Sequence, residues 1–369
     1  MAYADPEIGG VRAAAYTVPT DRHSADGTLT WDATTIVVVR ATGGGEEGIG
    51  WTYGPPACAA VVRDQLTSVV TGRPALDVPA ALEAMVRAVR NAGRPGAVGY
   101  AISAVETALW DLKARVLGLP LYRLLGAVRD ELPLYGSGGL TSYGDADLHE
   151  QLNRWVHEEG FGRVKIKIGE SWGTRERRDL ERVESARSVI GADAELFVDA
   201  NGAYTAKQAI RVARGLDSAG VRWLEEPVSS QDLSGLRRVR EGVAMDVAAG
   251  EYGCTVSCFQ HMCAAEAVDC LQIDITRCGG VLEFLRVCAV AAAHGLDVSA
   301  HCAPYLHRHA AAAAPRLRHV EWFHDHVRIE RWFFDGADKP RAGALPLDAQ
   351  RPGHGVELRE ADAEPYRVA

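Results

Sequence analysis

The stretch Val164-Lys165-Ile166-Lys167-Ile168 alternates apolar and cationic side chains. Successive side chains of a strand face opposite ways, so the two lysines share one face and the three apolar residues share the other. On the edge of an open sheet such lysines would guard against aggregation. A closed barrel has no edge, and there the lysine face points into the lumen. The downstream chain decides between the two. Short apolar strands alternate with amphipathic helices, and the strands end at Lys167, Asp199, Glu225, Glu251, Asp274, His301 and Glu321, at intervals of 32, 26, 26, 23, 27 and 20 residues. A βα unit repeating every 25 residues or so predicts an α/β fold with a parallel TIM-type barrel. Residues 128–330 hold that barrel in compact form, with a short first strand at Leu132–Tyr135.

Upstream, residues 1–127 read as a separate α+β unit. Thr34–Arg40 (TTIVVVR) is a β-branched run, Gly43–Gly45 supply a turn, and Ile49–Trp51 begin a return strand. Ile102, Val105, Leu109, Leu112 and Val116 recur at helical spacing, and Gly118 and Pro120 end that helix. Ala13–Trp31 is polar and aperiodic and reads as a loop, as does the segment after Trp51 (TYGPPA). The tail, about 331–369, has no barrel period and only weakly suggests a return to the first unit.

Composition excludes several classes. Lys and Arg total 40 against 49 Asp and Glu, a net charge of −9, without a basic tract, which argues against a nucleic-acid partner. No run of about 18 apolar residues is present to span a membrane. The opening MAYADPEIGG lacks the basic and apolar regions of a signal peptide, so a cytoplasmic location is expected. The eight cysteines lack the paired spacing of a zinc site and read as buried reduced thiols.

The strand ends carry the chemistry. Asp199, Glu225 and Glu251 close three consecutive strands, and three clustered carboxylates repel one another unless a cation sits among them. Oxygen-only ligands favour Mg2+ over zinc. Glu226, next to Glu225, is expected to point elsewhere. Asp274 beside His301 fixes the imidazole tautomer and raises its basicity, a general base or acid near neutrality. Crowding is expected to lower the lysine pKa values toward the range of a base. Glu321 as a neutral acid could donate to a developing oxyanion. Together these parts suit removal of the proton adjacent to a substrate carboxylate. Mg2+ and Lys165 would balance the charge, and Lys167 and His301 would flank the substrate.

At these positions the sequence resembles the enolase superfamily, in its mandelate racemase subgroup. The match runs from about Ile8 to Glu321 and includes the segment ALWDLKARVLGLPLYRLLG (Ala108–Gly126) and DITRCGGV from Asp274 onward. The resemblance implies a modified (β/α)7β barrel with an N-terminal capping domain completed by the C-terminal tail. It puts the base on Lys167 with Lys165 beside it, the metal ligands on Asp199, Glu225 and Glu251, the dyad on Asp274 and His301, and the last glutamate on Glu321. Asn201 matches a substrate-contacting position. Two capping loops would close over the substrate, at about Tyr16–Trp31 and Trp51–Pro56. That makes Arg22, His23, Trp51 and Tyr53 candidates for specificity, and Tyr305, His307 and His309 suit a polyhydroxylated substrate. The resemblance implies dehydration of a sugar acid to a 2-keto-3-deoxy acid, with racemisation, epimerisation or lactone cycloisomerisation as alternatives. It also implies an even-numbered homo-oligomer. A catalytically inactive metal-binding protein on this fold is the alternative of another class, which loss of Lys167, His301 or a metal ligand would have favoured.

Overall fold

The structure, a computed structural model, describes residues 5–369; residues 1–4, which open the N-terminal stretch and the first unit, lie outside it. Three antiparallel strands come first: β1 (Ile8–Ala25), β2 (Thr30–Gly43) and β3 (Glu46–Tyr53). The segment expected as a loop from Ala13 to Trp31 is therefore mostly strand. Residues Ala13–Pro19 pair in register with Val39–Ala33 of β2. Of this stretch Ala15, Tyr16 and Val18 are buried, with Ala15 and Tyr16 on opposite faces, a pattern too weak to stand out in the sequence, and pairing with β2 supplies the order. Only Asp26–Leu29 turns, and Asp26 Oδ1 fixes the turn by accepting from the backbone N–H of Thr28 at 2.6 Å and Leu29 at 2.7 Å. The second expected loop is likewise shorter, since β3 continues through Tyr53.

The helix Ala97–Val116 falls where the periodicity predicts it and packs on β3. The approach is close because β3 offers glycine. A Cβ at Gly48 would stand 2.3 Å from Ala108 O, and one at Gly50 2.4 Å from Ala104 O. Asp111 on this helix accepts from Ile49 N at 2.7 Å and from His354 N at 2.5 Å, joining helix, sheet and tail.

Eight parallel strands come next: β4 (Glu131–Gly138), β5 (Arg163–Lys167), β6 (Glu195–Asp199), β7 (Val221–Glu225), β8 (Asp246–Ala249), β9 (Cys270–Ile273), β10 (Asp297–Ala300) and β11 (Leu317–Phe323). Each pairs with the next, and β11 pairs back to β4 through Glu321↔Tyr135 and its neighbours, so the barrel is closed. The first strand has eight residues and is not short. Helices wrap the outside. Inside, Tyr135, Phe197, Trp223, Ala248 and Cys270 form a small apolar cluster separate from the main core. His319 joins it edge-on to Tyr135 and Trp223. This plug forms a floor beneath the strand ends.

After the helix His324–Phe333, the tail pairs β12 (Phe334–Asp335) with β14 (Glu357–Leu358) and lays β13 (Ala344–Pro346) antiparallel on β4. The chain then reaches the first sheet, where Ala15 N donates to Ala369 O at 2.8 Å. No helix among the described residues is long and apolar enough to cross a membrane.

Candidate active site

Register sets the upper rim. Lys167 pairs with Asp199 and Asp199 with Glu225 across β5, β6 and β7, so the three stand in one row. Glu251, Asp274 and His301 come just beyond β8, β9 and β10, whereas Glu321 lies within β11. All seven residues, and Lys165 one row below Lys167, are buried.

Lys165 is surrounded by acids. Its Nζ lies 2.5 Å from Glu225 Oε1, 2.8 Å from Glu321 Oε1 and 3.8 Å from Asp199 Oδ2. Lys167 pairs with Asp199 Oδ2. Asp199 also accepts from Asn201 N at 2.8 Å, and Trp223 Nε1 donates to Glu225 Oε2 at 2.9 Å. One oxygen from each of Asp199, Glu225 and Glu251 lies within 4.8 Å of the others. Glu251 Oε2 is buried without a hydrogen bond, while its Oε1 accepts from Arg277 Nη1 at 3.1 Å. On the far side, His301 Nδ1 donates to Asp274 Oδ2 at 2.8 Å, and its Nε2 lies 3.3 Å from Glu251 Oε2.

The electrostatics correct two expectations. Burial disfavours the lysine cations, but the carboxylates around them overcome it, so both lysines are raised above the ordinary amine value and not lowered. Burial likewise opposes ionisation of Glu321, yet Lys165 and His301 hold it well below the ordinary carboxylate value. Glu321 is therefore an ionised acceptor and not a neutral donor. Burial pushes Glu225 up to about 8 against the pull of Lys165. His301 is raised by Glu251, Glu321 and Asp274 against its own burial.

The specificity candidates divide. Asn201 stands beside Asp199, with its Oδ1 unpartnered. Arg22 is solvent-exposed and pairs with Asp147 and Glu150, and His23 pairs with Asp32 at 2.7 Å, so neither joins the carboxylates. Trp51 and Tyr53 are buried at the end of β3. Trp51 Nε1 donates to Glu330 Oε1 at 2.9 Å, and the Tyr53 ring stacks on His326. Tyr305 donates to Asp338 O. His307 accepts from Ile275 N at 2.9 Å, and His309 Nε2 contacts His354 O at 2.9 Å. These histidines join loops and helices instead of facing the rim.

Three features of the rim are not legible in the sequence. Arg277 lies between Glu251 and Asp274, its guanidinium 5.1 Å from the Tyr252 ring. Glu226 does not point elsewhere: its φ of +37° turns it, and its buried carboxyl is pushed well up by burial and by Glu251 and Asp199. The tip of the β1–β2 hairpin covers the ends of β5 and β6. A Cβ on Gly27 would meet Ala200 O at 2.7 Å, and neighbouring Asp26 feels the charge of Lys167.

Residues 13–126 match the mandelate racemase/muconate lactonizing enzyme N-terminal domain model, and residues 147–362 match the enolase C-terminal domain-like model. The chain belongs to the mandelate racemase/muconate lactonizing enzyme family. Within this family it is similar to L-talarate/galactarate dehydratase of Salmonella typhimurium, 31% identical over 302 residues, covering 80% of this chain and 74% of that one. A crystal structure of that dehydratase liganded with Mg and L-lyxarohydroxamate superposes with TM-score 0.89 and 26% identity, over 99% of this chain and 94% of that one. The chain is 31% identical to the 3,6-anhydro-alpha-L-galactonate cycloisomerase of Streptomyces coelicolor over 361 residues, 95% of this chain and 97% of that one. A mandelate racemase/muconate lactonizing enzyme-like protein from Rubrobacter xylanophilus, known by its crystal structure, is 47% identical with TM-score 0.95, over 98% of this chain and 100% of that one.

Proposed function

We propose that the chain is a Mg2+-dependent acid-sugar dehydratase. It removes the proton next to a substrate carboxylate and expels the hydroxyl one carbon further on, giving a 2-keto-3-deoxy acid. The observation that carries this reading is the placement of Lys167 and His301. Lys167 ends β5 and His301 follows β10, strands three apart one way and five the other, one residue against Asp199 and the other against Glu251, with the carboxylates between them.

Asp199, Glu225 and Glu251 fit Mg2+: every donor is oxygen, the three oxygens converge, and Glu251 Oε2 is a buried acceptor with no hydrogen bond. When bound, Mg2+ supplies the positive charge that holds the substrate carboxylate and balances the charge growing on it. Lys165 brings a second positive charge to that carboxylate. Lys167, whose proton is held by its pairing with Asp199, first gives that proton to solvent, and its neutral Nζ then takes the α-proton on one face. On the other, His301 Nε2 gives a proton to the departing hydroxyl, while Asp274 holds Nδ1 and sets the tautomer. Glu321 acts by fixing Lys165 and the Cys302 backbone, which donates to it at 3.0 Å. The tip Asp26–Leu29 covers the rim and keeps water out.

A screen of mono- and diacid sugars with Mg2+, read by 2-keto-3-deoxy acid formation, tests this. Turnover of at least one acid is expected. Failure of every acid either to eliminate or to exchange its α-proton would leave the inactive metal-binding alternative. Two proton carriers on opposite faces also serve cycloisomerisation or epimerisation, and the near full-length likeness to the cycloisomerase favours the former as the second reading. We further propose an even-numbered homo-oligomer in the cytoplasm, measurable by light scattering. The eight cysteines, none in a disulfide, are what a reducing compartment expects.

A further inference from the structure

One rim residue has no part in that reaction. Cys302 comes directly after His301 and is buried, and φ values of +51° at Cys302 and +37° at Ala303 bend the chain so that the thiol turns back to the rim. Its Sγ lies 3.3 Å from His301 Nε2 and 3.3 Å from Glu321 Oε2. His301 Nε2 and Glu321 Oε2 are 3.7 Å apart. A nitrogen, a sulfur and an oxygen thus form a triangle. Zinc–ligand bonds of about 2.0–2.3 Å at tetrahedral angles place neighbouring donors roughly 3.4–3.6 Å apart, so the triangle matches one face of a zinc tetrahedron with only small adjustments.

Lys165 occupies Glu321 Oε1 and Asp274 occupies His301 Nδ1, so Oε2 and Nε2 lie on the side of the thiol, with Oε2 also accepting from Cys302 N at 3.0 Å. The three donor atoms of His301, Cys302 and Glu321 all lie within 4.8 Å of one another, and the fourth position of a tetrahedron stays open to water. Unlike the all-oxygen set Asp199, Glu225 and Glu251, this one contains sulfur and imidazole, which select zinc-class cations over Mg2+.

We propose that His301, Cys302 and Glu321 form a second metal site that takes Zn2+ or a cation of its class. On binding, the Cys302 S–H bond breaks, its proton leaves to solvent and a metal–sulfur bond forms, with no change of oxidation state. Filling the site ties up His301 Nε2, so zinc acts as an inhibitor. The inhibition rests on the dehydratase reading; the binding does not.

The test uses the full chain saturated with Mg2+ and titrated with Co2+, a spectroscopic stand-in for zinc. Wild type is expected to show a thiolate-to-cobalt charge-transfer band that Zn2+ abolishes by displacement. Cys302→Ala and Cys302→Ser are expected to lack the band. The Cys254→Ser/Cys258→Ser double variant removes a thiol pair 3.8 Å apart outside this site, and is expected to keep the band. Absence of the band in wild type, or its survival in both Cys302 variants, would overturn the proposal. Where turnover is found, Cys302→Ala should raise the Zn2+ concentration for half-inhibition at least tenfold relative to its own Mg2+ activity. An unchanged value would refute the inhibitory role while leaving the cobalt result to decide the site.

Discussion

Lys165 has no water to fall back on, and its charge is balanced by Glu225, Glu321 and, further off, Asp199. Replacing it by Met leaves buried carboxylates uncompensated, which costs about 3–5 kcal/mol. We expect Lys165→Met to lower the denaturant midpoint accordingly in EDTA, with part of the loss recovered by Mg2+. An unchanged midpoint in EDTA would show that the lysine is not held as described. The rim residues are legible because strand ends recur at a fixed period and each end carries an ionisable group. Arg277, Glu226 and Asp26 are not. Arg277 lies in a loop past its strand, Glu226 depends on a left-handed backbone, and Asp26 comes near enough to feel the Lys167 charge only because a hairpin folds across from far upstream. Arg22 and His23 show the converse, since polarity alone does not tell a rim residue from a surface ion pair.

The capping helix shows what an element needs in order to sit close. Gly50 carries no side chain because Thr107 Oγ1 and Ala104 O occupy that space, at 2.3 and 2.4 Å from where a Cβ would be. Gly50→Ala should therefore destabilise the fold by about 1–3 kcal/mol in chemical denaturation, without altering the rim. The helix is readable from its apolar period, whereas β1 is not, because its alanines and polar residues become a strand only through pairing with β2. The helix His324–Phe333 carries Glu330, which accepts from Trp51 and, through burial, is pushed up to about 8. An unfolded glutamate titrates near 4.3, so between about pH 4.3 and 8 the folded state holds the extra proton. Its stabilising contribution is complete below that window and is lost as pH rises through it, by up to about 1.4 kcal/mol per pH unit. Glu330→Gln should flatten this part of the stability–pH curve. An unchanged slope would mean that Glu330 is ionised in the folded protein.

Across the whole chain, buried carboxylates dock the cap on the barrel. Glu106 accepts from Val281 N at 2.7 Å and Leu282 N at 2.9 Å at the start of a barrel helix, and Glu330 reaches Trp51. A chain of net charge −9 thus gathers several acids at one rim and closes a sheet over them. Mg2+ at about one hundred times its dissociation constant should raise stability by about 2.7 kcal/mol, read as a higher Tm, and the gain should vanish in Asp199→Asn. The proposed chemistry stands or falls on Lys167 and His301 moving protons independently on two faces of one substrate. The decisive experiment follows a turned-over sugar acid in deuterated buffer with Mg2+, comparing wild type, His301→Ala and Lys167→Ala by NMR. His301→Ala is expected to lose elimination by a factor of about 10²–10⁴ yet still exchange the α-proton, and Lys167→Ala to lose that exchange. Loss of exchange in both variants, or elimination undiminished in His301→Ala, would contradict it.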